Sequence, residues 1–95
     1  MELDELYNII CSRRDNPSAA SYTARLMAAG EDEILKKIGE ESVEVILAGK
    51  GQGDQRLIEE TADLFYHVLV LLSFRGLGLD QIRAELARRH QPKAP

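Results

Sequence analysis

Ninety-five residues set one domain with one modest core, so pairing with a second copy would bury apolar surface that a lone chain leaves in water. With 44% hydrophobic and 29% charged residues and only three prolines, the composition excludes a disordered segment and fits a folded, mostly helical chain. A net charge of −4 excludes a general nucleic-acid binder, which needs a basic face, and the lone Cys11 excludes an internal disulfide.

The chain opens without a basic-then-apolar leader, and its longest apolar run, Ala62 to Phe74, is interrupted by Asp63 and His67. That run is shorter than the roughly 20 residues a bilayer span requires, so a cytoplasmic protein with no membrane partner is expected. Glu2 to Arg13 repeats apolar residues at Leu3, Leu6, Ile9 and Ile10, with acids early and Arg13 and Arg14 late, which predicts an outer helix. Asp15 to Ser18 breaks it, because Pro17 disfavours helix in the residue before it. Ser21 to Ala29 restarts as a short helix, with Ser21 as N-cap, Gly30 as stop, and Leu26 and Met27 offered to a core.

Glu31 to Ala48 is the first long helix, ended by Gly49, Gly51 and Gly53. Gly39 inside it costs about 1 kcal/mol against alanine, which predicts a close helix contact or the approach of a ligand. Asp54 reads as the N-cap of a second long helix running to Phe74 or Arg75. Beyond Leu64 that helix is apolar on most sides, so it is expected at the centre, with one side on its own subunit and the other at a dimer interface. After the turn from Gly76 to Leu79, Asp80 is expected to cap a last helix that faces Ile82 and Leu86 inward and closes on Arg88, Arg89 and His90. Gln91 to Pro95 reads as a frayed tail. No internal repeat or β pattern stands out, and the predicted architecture is a single all-α domain over residues 1–95, a helical bundle built on two long antiparallel helices.

The chemistry sits on those two helices. At about 100° per residue, Lys37, Glu41, Glu44 and Ala48 share one stripe beside the apolar Ile34, Ile38 and Val45, with Glu40 one step further toward solvent. On the second helix Leu57, Thr61, Leu64, Val68 and Leu72 are assigned the apolar face, and Glu60, Asp63 and His67 its flank. Antiparallel packing would bring Glu41, Glu44, Glu60 and Asp63 together at the edge of the core, where such charges repel unless a cation sits among them. Hard oxygen ligands without cysteine favour Mg²⁺ or Mn²⁺ over zinc or copper. His67 either orients a ligating carboxylate or is a buried structural histidine. Lys37 is either half of a helix salt bridge or a phosphate holder. Glu31, Asp32, Glu33, Glu59 and Glu85 are assigned to solvated faces. No Ser/His/Asp set, GxxxxGK[ST] or GxGxxG occurs, which leaves metal-assisted chemistry on phosphates.

Glu40, Glu41 and Glu44 followed by Glu60 and Asp63 match an EExxE then ExxD pattern. Around them stand Ser21-Tyr22-Thr23, Ile34 to Glu41, and Ala62 to His67 running into Val70 and Leu71. In this text the sequence resembles the phosphoribosyl-ATP pyrophosphohydrolases of histidine biosynthesis, within the MazG-like all-α NTP pyrophosphohydrolases, over roughly residues 3–89. The resemblance implies hydrolysis of phosphoribosyl-ATP to phosphoribosyl-AMP and pyrophosphate by a Mg²⁺-dependent, cytoplasmic homodimer, in its stand-alone form. It further implies that Glu41, Glu44, Glu60 and Asp63 bind metal, that Glu40 is a further ligand or the base that takes a proton from water, and that Lys37 lies near the phosphates. Ser21, Tyr22 and Thr23 would contact substrate. Two alternatives are a pyrophosphohydrolase acting on free nucleoside triphosphates, separable by substrate preference, and a non-catalytic helical dimerisation module, separable by metal titration.

Overall fold

The computed structural model describes residues 1–92. Among them run α1 (Leu3–Asp15), α2 (Tyr22–Ala29), α3 (Glu31–Gly51), α4 (Asp54–Phe74) and α5 (Leu79–Arg89), and no strand forms among the described residues. The all-α expectation holds. Of the expected frayed tail, residues 93–95 lie outside the described residues. No single helix among the described residues is long and apolar enough to cross a membrane.

α3 and α4 have 21 residues each, and the link Gln52–Gly53 folds one back antiparallel on the other. At 1.5 Å per residue each helix is about 31 Å long. α1 and α2 pack on this hairpin and on each other, giving a body of 56 × 36 × 26 Å. The core takes Ile10 from α1, Leu26 from α2, Ile34 from α3 and both Leu69 and Val70 from α4.

Local chemistry fixes the joints. The Ser21 hydroxyl oxygen accepts the Ala24 N–H at 3.1 Å, the N-cap bond its position predicts. Gly30, at φ +106°, ends α2 and starts α3 in a backbone region that a side chain would oppose. α1 clamps the far end of α4: Arg14 Nη1 donates to the Ser73 carbonyl at 2.6 Å, and the Tyr7 hydroxyl donates to the Leu77 carbonyl. Arg75 Nε donates to Glu31 Oε1 at 2.8 Å, tying the C-terminus of α4 to the N-terminus of α3.

Several sequence expectations are corrected. α3 does not stop at Ala48 but continues through Gly49 and Gly51, because the Gln52 N–H still reaches the Ala48 carbonyl at 3.1 Å. Glycine in a last turn weakens a helix without ending it; the reversal waits for Gly53, at φ +88°. Neither Asp54 nor Asp80 is a cap. Gly53 and Gly78 hold those positions, the Gly78 N–H is taken by Gln81 Oε1 at 2.8 Å, and Asp80 pairs with Arg83 at 3.0 Å. Gly39 makes no close helix contact, since a Cβ there would meet nothing within 4 Å.

The facing of α4 is also different. The stripe assigned as its apolar face, Leu57, Thr61, Leu64, Val68 and Leu72, is only half-buried, whereas Glu60, His67, Leu69, Val70 and Ser73 are buried. A helix apolar on most sides carries no periodic cue to the side its own fold will cover, so α1, α2 and α3 decide it. Ile82 and Leu86 likewise fail to face inward and stand 42% and 53% exposed.

Because Ile34 is fully enclosed, Ile34→Ala is expected to lower unfolding free energy by about 2–5 kcal/mol through lost transfer energy and a residual cavity. Urea unfolding of the two proteins, with equal m-values, measures it.

Candidate functional site

Spacing on the two long helices decides which acids meet. Glu41 from α3 and Glu60 and Asp63 from α4 each offer a carboxylate oxygen within 4.8 Å of the other two. Glu60 is buried, Glu41 half-buried and Asp63 exposed, so the group has a floor and an open side. Glu44, one turn further along α3, is half-buried and lies outside this group. Glu40 is exposed, with its carboxylate 3.5 Å from Lys37 Nζ.

Burial first, and repulsion from Asp63 second, push the Glu41 carboxyl above the ordinary carboxylate range, and Glu60 adds to the push. Desolvation and neighbouring carboxylates thus act in the same sense, each disfavouring the charged form of Glu41. A donor set of carboxylate oxygens alone, partly buried and open on one side, fits a hard divalent cation. Around a Mg²⁺-sized ion, neighbouring oxygens stand about 3 Å apart and opposite ones about 4 Å, within reach of small rotations of these side chains.

His67 is buried beneath this group, and its bonds assign its role. Nδ1 lies 2.8 Å from the Asp63 carbonyl oxygen, which can only accept, so Nδ1 carries the proton. Nε2, the other ring nitrogen, is hydrogen-bonded to the Tyr22 hydroxyl, 3.0 Å away. The ring therefore ties to the main chain of Asp63 and to α2, and not to a carboxylate, as one of the two sequence readings had it. Burial raises the Tyr22 phenol, which keeps it a donor. One residue along, the Thr23 and Tyr66 hydroxyls bond to each other. The His67 ring meets Tyr22 and Tyr66 edge-on and the two tyrosines are tilted to each other by 32°, with centroids 5.1–6.2 Å apart, which completes a small aromatic cluster.

The structure thus brings Glu41, Glu60, Asp63, His67 and Tyr22 to one place. Ser21 stands apart from them chemically, its oxygen spent on the helix cap. One residue was missed by the sequence reading. Arg56 Nη2 donates to buried Glu60 Oε1 at 2.5 Å while its Nη1 donates to Glu59 at 2.6 Å. A signal for it was present: Lys37, Glu40, Glu41 and Glu44 on α3 recur at the same spacing as Arg56, Glu59, Glu60 and Asp63 on α4. The assignment of Glu59 to a solvated face also hid it, because Glu59 is what holds the guanidinium in place.

The chain matches a family model described as phosphoribosyl-ATP pyrophosphohydrolase over residues 3–90. It is 56% identical over 87 residues to a phosphoribosyl-ATP pyrophosphatase of Lactiplantibacillus plantarum, covering 92% of this chain and 82% of that protein. A protein of the same name from Geotalea daltonii is 54% identical over 87 residues, with the same coverage of both chains. Another, from Pelotomaculum thermopropionicum, is 51% identical over 90 residues, covering 95% of this chain and 92% of its own length.

The raised Glu41 carboxyl carries a pH signature. A carboxyl whose folded value lies above its unfolded value favours folding while protonated, and that contribution is lost as pH rises through the folded value. Glu41→Gln cannot ionise, so in chelator at about pH 8 it is expected to melt at a higher temperature than the parent. The difference is expected to close near pH 4, below the unfolded value. Thermal melts at both pH values check it.

Proposed function

The chain belongs to the phosphoribosyl-ATP pyrophosphohydrolase family, and from that premise we propose that it hydrolyses phosphoribosyl-ATP to phosphoribosyl-AMP and pyrophosphate in histidine biosynthesis. The observation that carries the reading at the level of the site is the group of Glu41, Glu60 and Asp63, gathered from two helices at the edge of the core.

Mg²⁺ is the ion this oxygen-only set suits, with Mn²⁺ as its nearest substitute; Glu41, Glu60 and Asp63 would hold it, with Glu44, one turn further along α3, as the fourth ligand. When bound, such an ion neutralises polyphosphate charge and acidifies water. The chain's own residues do the rest. Glu40 is exposed beside the group and accepts the proton of the attacking water as its oxygen bonds to phosphorus and the bridging P–O bond between phosphoribosyl-AMP and pyrophosphate breaks. Lys37, now paired with Glu40, turns to a phosphate oxygen as the negative substrate enters. Tyr22, exposed at the head of α2, lines the approach, whereas Thr23 and Ser21, expected from the sequence to contact substrate, are buried with their hydroxyls bonded to Tyr66 and to the Ala24 N–H, and serve by positioning that helix.

We also read the enzyme as a cytoplasmic homodimer. A cleft of about 330 Å³ lined by Leu64, Phe65, Val68, Leu72, Leu79 and Ile82 runs along the open side of α4, and Ile46 and Ile58 stand 68% and 62% exposed near the hairpin tip. Apolar surface of that extent on a chain this short favours cover by a second copy.

Asp63→Asn and Glu44→Gln are expected to lower phosphoribosyl-ATP turnover with Mg²⁺ by about a hundredfold or more, by analogy with the loss of other groups that stabilise developing charge. Wild-type turnover from a folded variant would remove that residue from the site. Pyrophosphate release from ATP, dCTP and dUTP under the same conditions is expected to be far slower than from phosphoribosyl-ATP, and a preference for a free nucleotide would overturn the substrate. Phe65→Glu, half-exposed in the single chain, is expected to give monomers in analytical ultracentrifugation through a charge buried at the interface.

A further inference from the structure

Among the described residues, Arg56 is the one cation in direct contact with a member of the three-carboxylate group. Its guanidinium is divided. Nη1 holds exposed Glu59, one turn along α4, and Nη2 reaches the buried Glu60. The side chain is 48% exposed, so it is free to move about the Glu59 contact. Its counterpart in the repeated spacing, Lys37, makes the matching contact to Glu40 and, among the described residues, no second ion pair. A planar fork can keep one carboxylate while exchanging the partner of its other arm, which an ammonium cannot do.

We propose that Arg56 is a built-in counter-ion that occupies Glu60 in the ion-free protein and, once a divalent ion takes that carboxylate, pivots on Glu59 to bind a phosphate oxygen of the substrate. The proposal rests on the reading of Glu41, Glu60 and Asp63 as ligands. Its logic is electrostatic. An ion carrying two positive charges must displace a guanidinium from its buried ligand and then tolerate it nearby, so Arg56 opposes loading by the ion alone. A phosphate group reverses the sign, because the guanidinium and the ion then share a negative partner, and Arg56 favours loading with substrate. The result is an enzyme that holds its ion weakly when idle and firmly when a pyrophosphate group is present.

Isothermal titration at low ionic strength tests this with the full chain. Arg56→Gln is expected to bind Mg²⁺ alone three- to tenfold more tightly than the parent, the size of one charge removed on the order of 6 Å from a divalent ion at near-water dielectric. With saturating Mg²⁺, the same variant is expected to bind inorganic pyrophosphate at least tenfold more weakly. Arg56→Lys keeps the charge but not the fork, and is expected to match the parent for Mg²⁺ and to bind pyrophosphate more weakly. Arg88→Gln, the same charge change on α5, is expected to leave both affinities unaltered. Mg²⁺ affinity in Arg56→Gln equal to or weaker than the parent's, or unaltered pyrophosphate binding, overturns the proposal while the ligand reading stands. A parent protein without saturable Mg²⁺ binding overturns both.

Discussion

Mutual repulsion among acids that the fold forces together is the constraint around which this molecule is arranged. The turn at Gly53 and the packing of Ile34, Leu69 and Val70 fix how α3 and α4 meet, and that meeting brings Glu41, Glu60 and Asp63 within 4.8 Å of one another. Buried Glu60 and half-buried Glu41 cannot retreat fully into water without unpacking the hairpin, whereas Asp63 already faces solvent. Apolar burial at one end of the hairpin therefore holds an unfavourable charge arrangement in place nearby. Sites of this kind trade some stability of the empty protein for readiness toward a cation.

The two helices divide the burden differently. α3 contributes its acids from a half-buried face, with Lys37 beside Glu40 near the surface. α4 carries one acid into the interior, and it does so in company: Arg56 bonds Glu60, while His67 and Tyr22 absorb the polar groups further down the same side. The buried side of α4 accordingly mixes the apolar Leu69 and Val70 with the polar Glu60, His67 and Ser73. The buried polar groups on that side have partners, which lowers the cost of their burial, and among the described residues no buried side-chain nitrogen or oxygen is left unbonded. The apolar stripe is left half-covered, available to something other than its own core.

Much of this was legible in the sequence because the relevant signals are local. Ser21 before an apolar period and Gly30 after it mark α2 by cap chemistry, and the i, i+3 acids mark the site by helical geometry. The misreadings share a cause. Gly49 and Gly51 looked like breaks because glycine is a weak helix former, yet a helix end depends on where the next bond goes, and Gln52 still had Ala48 to bond. Asp54 and Asp80 looked like caps because their type suits the position, although a glycine held it, Gly53 one residue before Asp54 and Gly78 two residues before Asp80. The facing of α4, and of Ile82 and Leu86, depends on surfaces distant in sequence, which no local period records. Arg56 was hidden for a simpler reason: its role shows only when the motif on α3 is laid over the motif on α4.

The main-chain carbonyl of Asp63 has an unusual neighbour in the His67 ring, which in turn holds the Tyr22 hydroxyl at the head of α2. This relay makes α2 and the acidic residue parts of one lever. A molecule that repositions the first turn of α2 also tilts Asp63, and whatever grips Asp63 steadies α2. Thermodynamic reciprocity then requires that whatever one occupant does to the other's hold is returned by the same factor. Cooperativity between two small ligands can thus be built into a chain this short without any moving domain, through three residues and two hydrogen bonds.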